Sequence, residues 1–196
     1  KKVNFFQLRL KKENFKTKFI IGKKIKKICK KFKVPLVEDA AQAHGSRYKG
    51  IYAGNLGDAG AISFFTTKVM TTGEGGMIVT NNKKIYDDIY SLRQFGFTKN
   101  KLLHDKISGN YKLNEFSALL GIIELKRLKS RIKKRNLIAK KYRENLAYSN
   151  YKLLSSTKPY YCNHYKQIMI SNIKRKKIEK ILNSKNISLT GGVYYI

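Results

Sequence analysis

The sequence has 196 residues, of which 42% are hydrophobic and 12% aromatic, a composition that excludes a largely disordered protein. Its 43 lysines and arginines outnumber 12 aspartates and glutamates, giving a formal net charge of +31. The two cysteines, Cys29 and Cys162, are too few for a disulfide framework, and no apolar run approaches the ~20 residues of a membrane-spanning helix. We therefore expect a cytoplasmic protein with no membrane partner.

The positive charge is spread along the chain. In GKKIKKICKKFK, LKRLKSRIKKR and IKRKKIEKIL, basic residues lie on the polar side of an apolar helical stripe, as on a solvated helix face. A compositional bias explains this pattern without selection for binding, so we expect no specific nucleic-acid partner. A basic nucleic-acid-binding protein, whose lysines would neutralise phosphates, is kept as an alternative.

Helices and strands alternate over the first half of the chain. Residues 23–33 have the spacing of an amphipathic helix, and VPLVED, AGAISFF and GMIVT indicate three short buried strands. Asn81 or Asn82 is expected to cap the next helix. This alternation predicts an α/β fold with a mostly parallel sheet flanked by helices.

After Asn110 the pattern changes to two long helical stretches, which are joined or kinked near Ser130. A weaker mixed segment follows from residue 151. These features predict a helical connection and then a small α/β domain. We place the boundary so that residues 1–128 form part of a large domain and residues 129–196 part of a small C-terminal domain.

Two charged residues follow predicted strands: Asp39 ends the first strand, and Lys68 lies just past the second. In open α/β sheets, ligands bind beyond the carboxyl ends of the strands. We therefore expect Asp39 and Lys68 to face one crevice, the first as an anion and the second as an amine.

Three blocks, VEDAAQAHGSRYKG, GDAGAISFFTTKVMTTGEGGMIVTNN and NYKLNEFSALLGIIEL, resemble the DegT/DnrJ/EryC1/StrS family. The members are pyridoxal-phosphate-dependent aminotransferases that act on nucleotide-linked keto sugars. The resemblance spans residues 17–148 and is faint from there to residue 195. It is specific because the three blocks occur in the right order and spacing. It implies a fold-type-I PLP-transferase-like fold and pyridoxal 5'-phosphate as the cofactor.

The resemblance implies that Lys68 is the catalytic lysine, which binds the cofactor covalently and then moves a proton. A partly desolvated crevice favours the neutral amine that this role needs, and the glycines at positions 73, 75 and 76 let the backbone turn tightly behind it. Asp39 is implied to pair with the pyridine nitrogen and keep the ring protonated. A helix N-cap is the alternative role for Asp39.

Three further positions match cofactor-binding residues of the family. Gln42 corresponds to a residue that packs on or beside the ring, and Ser63 to a phosphate ligand. Asn110 corresponds to a residue that is presented to the phosphate of a neighbouring subunit, which implies a homodimer if the enzyme is complete. A structural role is the alternative for each. For His44, a structural role near the site explains the residue as well as a role in the reaction does.

No metal site is expected, because His104 and His164 lack ligand partners at useful spacing. Some positions depart from the family pattern: Lys112 replaces an arginine, and Phe95 stands where a histidine is common. The resemblance implies that the first third of such an enzyme, including a helix start that cradles the cofactor phosphate, is absent, and that the small domain would continue past residue 196. The resemblance thus predicts an internal fragment that lacks the N-terminal third and the C-terminal end.

The function that the resemblance predicts is transfer of an amino group, with glutamate as donor, to a nucleotide-linked keto sugar in polysaccharide or antibiotic sugar biosynthesis. The chain would be this aminotransferase or a fragment of it. A catalytically inactive remnant of the family is the second alternative, beside nucleic-acid binding.

Overall fold

The computed structural model describes residues 15–97, 103–146, 151–153 and 158–187. The helices are α1 (Phe15–Phe32), α2 (Lys83–Arg93), α3 (Glu115–Asn145) and α4 (Arg175–Asn183). The strands are β1 (Val37–Asp39), β2 (Arg47–Tyr48), β3 (Ile51–Tyr52), β4 (Ala59–Ser63), β5 (Gly76–Val79), β6 (Tyr151–Leu153), β7 (Tyr160–Tyr161) and β8 (Met169–Ser171). The predicted α/β class is confirmed. Within these ranges no helix is both long and apolar enough to cross a membrane.

The sheet that carries the crevice has the strand order β1-β4-β5. Strand β1 runs parallel to β4, with Asp39 opposite Ala61, and β4 runs antiparallel to β5, with Ser63 opposite Gly76. All three predicted strands are present, and in the described residues the sheet is mixed. The antiparallel pair forms because β4 returns to β5 through a loop, whereas a parallel pair needs a longer crossover.

Alternation along β1 separates two neighbouring carboxylates. Glu38 is half-buried, and its carboxylate accepts hydrogen bonds from the backbone N–H groups of Gly54 (3.1 Å), Leu56 and Gly57 (2.6 Å). Successive residues of a strand point to opposite faces, so Glu38 fixes the loop before β4 while Asp39 stays exposed at the strand end. The sequence offers both carboxylates, and the structure assigns the scaffolding role to Glu38.

The next helices begin at asparagine caps. Asn82, the second of the two predicted candidates, caps α2 by accepting from the N–H of Ile85 at 3.2 Å. Helix α3 is one continuous helix of 31 residues, so the two predicted stretches are joined at Ser130. The proposed domain boundary at residue 128 lies inside this helix and stays a prediction.

The core lies where the loop after β4 packs against α3. Its buried apolar side chains include Phe64, Val69, Met70, Ile132 and Ala139. The amino-terminal half of α3 differs, because several of its large apolar side chains are more than half exposed. These are Phe116, Leu119, Ile122 and Leu125. The described residues therefore cover only part of the apolar surface of α3.

Candidate functional site

The carboxyl ends of β1 and β4 form one edge of the sheet. Asp39 is the last residue of β1 and Ser63 the last residue of β4, and the two strands are parallel neighbours. The pairing continues one residue further, because the N–H of Ala40 donates to the carbonyl of Ala61 at 2.9 Å. Lys68 lies in the loop that leaves this edge. Asp39 and Lys68 thus follow neighbouring parallel strands, as the sequence predicts, and the expectation that they face one crevice stays a prediction.

The loop that carries Lys68 is closed by its own hydrogen bonds. The N–H of Phe64 donates to the carbonyl of Gly75 at 2.8 Å, and the N–H of Thr72 donates to the carbonyl of Phe64 at 2.9 Å. Gly73 and Gly75 have φ angles of +80° and +146°, which L-residues with side chains rarely adopt. Gly76 lies in β5, where a Cβ would come within 2.9 Å of a backbone oxygen of β4. The glycines therefore permit the turn behind Lys68.

Helix α3 fixes the backbone next to Lys68. Val69 is buried, and its carbonyl accepts from Arg131 Nη1 at 3.3 Å. Arg131 forms a two-point ion pair with the buried carboxylate of Glu124, in which Nη2 lies 2.6 Å from Oε1. A cavity of about 440 Å³ opens here, lined by Lys68, Val69, Arg131, Lys134, Arg135 and Ile138. Lys68 is half-buried and has a basic wall on one side.

The Lys68 amine faces an aromatic ring from a distant part of the chain. Lys68 Nζ lies 5.3 Å from the ring centroid of Tyr165, a distance at which a cation is attracted to the ring face. The Tyr165 hydroxyl lies 3.0 Å from Oγ1 of Thr67, within hydrogen-bonding distance although the two residues are 98 positions apart. Tyr165 was not predicted from the sequence, because no local pattern links it to Lys68.

Asp39 has one carboxylate oxygen available for a ligand. Its Oδ1 accepts from the N–H of Ala41 at 3.1 Å, and Oδ2 has no hydrogen-bond partner within the described ranges. Residues 40–46 contain two turns and no helix. The alternative role as a helix N-cap is therefore wrong, since no helix begins after Asp39. Gln42 lies in these turns with an exposed side chain, and its carbonyl accepts from Asn163 Nδ2 at 2.9 Å.

His44 is a buried titratable group beside Lys68. It is 5% exposed, its ring lies 6.1 Å from that of Phe64, and neither ring nitrogen has a hydrogen-bond partner of good geometry in the described part of the chain. Burial lowers the pKa of His44; the backbone of Ser63 opposes the shift, and the charge of Lys68 adds to it. Both roles foreseen for His44 stay open.

Ser63 and Asn110 differ in their placement. Ser63 is half-buried at the strand edge, where its Oγ accepts from the N–H of Phe65 at 3.3 Å. Asn110 is exposed; its Oδ1 accepts from the N–H of Lys112 at 3.2 Å, and its backbone forms a β-bridge with Gln94. Among the described residues, these contacts do not join Asn110 to the other candidates, and its role at a neighbouring subunit stays a prediction.

The chain is similar to a family of known aminotransferases. The model of the DegT/DnrJ/EryC1/StrS aminotransferase family matches residues 22–196. The GDP-perosamine synthase of Escherichia coli O157:H7 is 39% identical over 112 residues, which are 57% of this chain and 31% of that protein. The chain thus spans about a third of the length of this relative.

Two solved structures share the fold. A DegT DnrJ EryC1 StrS aminotransferase from Brucella abortus superposes with a TM-score of 0.78 at 24% identity, covering 84% of this chain and 44% of that one. DesV of S. venezuelae, solved with a ketimine intermediate, has a TM-score of 0.76 at 26% identity, with 85% and 45% covered. Aminotransferases of this family use pyridoxal phosphate.

The described residues fit this cofactor. Its aldehyde requires an amine, for which Lys68 in the loop after β4 is the candidate, and its ring nitrogen requires a carboxylate, for which Oδ2 of Asp39 is available. A phosphate accepts from hydroxyl groups, and Ser63 offers one at the same edge. The described residues therefore offer candidate partners for the aldehyde, the ring nitrogen and the phosphate of pyridoxal phosphate.

Proposed function

Because the chain belongs to the DegT/DnrJ/EryC1/StrS aminotransferase family, we propose that it is, or forms part of, a pyridoxal-phosphate-dependent aminotransferase of nucleotide-linked keto sugars. Such an enzyme would act in polysaccharide or antibiotic sugar biosynthesis. The observation that carries the proposal is the placement of a lysine and a carboxylate, Lys68 and Asp39, after neighbouring parallel strands. The resemblance to a GDP-perosamine synthase supports a nucleotide sugar as substrate.

Two residues would perform the central chemistry. Bound pyridoxal phosphate would supply an electron-withdrawing ring next to the carbon that gains or loses nitrogen. Lys68 would bind the cofactor through Nζ and, once released, move a proton at that atom. Asp39 would keep the ring nitrogen protonated through its carboxylate. The Tyr165 ring, 5.3 Å from Lys68 Nζ, would limit where the released amine can go.

The remaining candidates would orient the ligands. Ser63 would donate its hydroxyl to the cofactor phosphate, and Gln42 would pack beside the ring. Lys134 lies in the same cavity as Lys68 and would attract the diphosphate of the sugar nucleotide. Glutamate is the proposed amino donor, by resemblance to the family.

We also propose a homodimer for the complete enzyme, in which Asn110 of one subunit reaches the phosphate site of the other. The exposed apolar side chains of α3 support an association surface, since patches of this kind mark protein interfaces. Sedimentation velocity measures this directly, and a monomer at micromolar concentration with full activity would contradict the shared site.

Covalent labelling tests the proposed cofactor site. The protein is incubated with pyridoxal phosphate, reduced with borohydride and mapped by peptide mass spectrometry. We expect the label on Lys68 and its loss in Lys68→Arg. Lys166→Arg is the matched control, because Lys166 Nζ lies 5.9 Å from the same Tyr165 ring and Lys166 is exposed. Label spread over the surface lysines would contradict the assignment and favour the inactive-remnant alternative.

A further inference from the structure

A short segment of the C-terminal part, residues 162–165, runs between α3 and the loops of the candidate site. On one side α3 holds its backbone. Asn136 Nδ2 donates to the carbonyl of Cys162 at 3.0 Å, and Arg135 Nη1 donates to the carbonyls of His164 at 3.2 Å and Tyr165 at 3.4 Å. The 162–165 segment is thus fixed to α3 by side chains.

On its other side, the segment holds the turns that follow Asp39. Asn163 is 3% exposed, and its Nδ2 donates to the carbonyls of both Gln42 (2.9 Å) and His44 (3.0 Å). Its Oδ1 accepts from the N–H of Tyr165 at 2.9 Å, and its own N–H donates to Oγ of Ser46 at 3.1 Å. Both N–H hydrogens of the Asn163 side-chain amide are therefore donated to the loop that contains Gln42 and His44.

The same segment reaches the loop that carries Lys68. Tyr165 hydrogen-bonds Thr67 through its hydroxyl and presents its ring to Lys68 Nζ. The two loops with the candidate cofactor residues are consequently joined through residues 163 and 165. The turns at residues 40–46 contain neither a helix nor a strand that could fix Gln42 by itself.

We propose that Asn163 is a positioning residue for cofactor binding, which holds the Gln42 loop in register with the Lys68 loop. The proposal rests on the proposed function, because it assumes that pyridoxal phosphate binds between these loops. Without the two donated hydrogen bonds, the loop would have to be ordered when the cofactor binds, and that ordering lowers affinity. We expect the loss of these two hydrogen bonds to weaken cofactor binding about tenfold, which corresponds to about 1.4 kcal/mol.

The test compares Asn163→Ala with Asn136→Ala. Asn136 is the comparison, because its Nδ2 also donates to two carbonyls, those of Ile132 and Cys162, but to neither site loop. It therefore separates fixing the segment to α3 from holding the Gln42 loop. Absorbance titration of the full chain with pyridoxal phosphate gives the affinity, and thermal unfolding gives the stability. We expect about tenfold weaker binding for Asn163→Ala and less than a twofold change for Asn136→Ala. Equal losses in both variants would overturn the proposal.

A second measurement needs no cofactor. The NMR titration of His44 reports on the loop that Asn163 holds, and burial lowers the pKa of His44. In Asn163→Ala the pKa of His44 should return towards its ordinary value, whereas in Asn136→Ala it should stay as low as in the wild type. If Asn163→Ala does not fold, Asn163→Ser is used instead. An unchanged His44 titration overturns the positioning role even if wild-type Lys68 binds the cofactor, and failure of wild-type Lys68 to bind overturns the proposed function.

Discussion

The described residues contain two basic cavities that differ in how their charges are held. One, of about 360 Å³, lies at the amino end of β1 and includes Lys26, Lys30 and Lys33 of the α1 region. The other is the Lys68 cavity of about 440 Å³. The charge of the two cavities is similar in sign, yet only the second adjoins the carboxyl edge of the sheet.

The difference lies in the neighbours of the cations. In the first cavity the lysines are exposed, and Lys26 Nζ donates to the carbonyl of Leu56 at 2.6 Å. In the second, Arg131 is tied to Glu124 and to the Val69 carbonyl, and Lys68 lies under the Tyr165 ring. In a chain this basic, positive charge alone does not distinguish a candidate site. The Lys68 cavity is distinguished by the contacts that hold its cationic side chains in place.

The largest expected effect concerns the ion pair of the Lys68 cavity. Glu124→Gln leaves Arg131 without its buried partner, and breaking such pairs costs about 3 kcal/mol of unfolding free energy. Glu179→Gln is the control, since Glu179 pairs with Arg175 one helical turn away on α4, a pair worth about 0.5 kcal/mol. Urea unfolding of both variants measures the difference. Equal destabilisation would show that the Lys68 cavity is held no more firmly than a surface helix.

A second prediction compares one glycine from each region. Gly75→Ala introduces a Cβ that would lie 2.7 Å from Thr72 Oγ1, at a residue with φ of +146°, and we expect a loss of about 1–2 kcal/mol. Gly22→Ala, on α1, meets nothing within 4 Å and should gain about 0.5–1 kcal/mol from helix propensity. Thermal unfolding gives the sign of each change. A stabilising Gly75→Ala would mean that the Lys68 loop does not require its left-handed residue.

Local patterns sufficed for the strands and for the strand-end residues. The runs VPLVED and AGAISFF predicted β1 and β4, and with them the placement of Asp39 and Lys68, because a short apolar run followed by polar residues indicates a buried strand and its end. The cap of α2 was narrowed to two adjacent asparagines, and the structure selects Asn82 because only its side chain accepts from Ile85.

Long-range contacts could not be predicted in this way. Asn163 and Tyr165 reach the site from far along the chain, and neither is preceded by a pattern that specifies its partner. The pairing of Glu124 with Arg131 could have been suspected, since seven residues span two helical turns, but the Val69 carbonyl that Arg131 also contacts depends on the fold. The run GMIVT predicted strand β5 but not its antiparallel direction, because strand direction is set by the connection and not by the strand itself.

A third prediction uses the buried histidines. Burial lowers the pKa of both His44 and His164; the positive charges of Lys68 and Arg143, respectively, add to the shift. The unfolded chain then binds protons near pH 6.5 that the folded chain does not, so the unfolding free energy should fall as the pH drops from about 7.5 to 5.5. His44→Gln should flatten this dependence in urea unfolding at several pH values. An unchanged slope would contradict burial of a neutral His44 beside Lys68.

The smallest expected effect concerns nucleic acid. If the charge is a compositional bias, binding to duplex DNA should be weak, indifferent to sequence and steeply dependent on salt. Each lysine replaced by glutamine should then reduce the slope of log affinity against log salt by at most about 1. A variant with Lys26, Lys30 and Lys33 all changed to glutamine is compared with Lys134→Gln by fluorescence anisotropy across salt concentrations. The change in slope is divided by the number of lysines replaced. Equal effects per lysine would mean that DNA senses charge alone at both cavities, although only one has fixed partners. A sequence-selective complex at physiological salt, lost on changing the α1 lysines alone, would instead assign nucleic-acid binding to the first cavity.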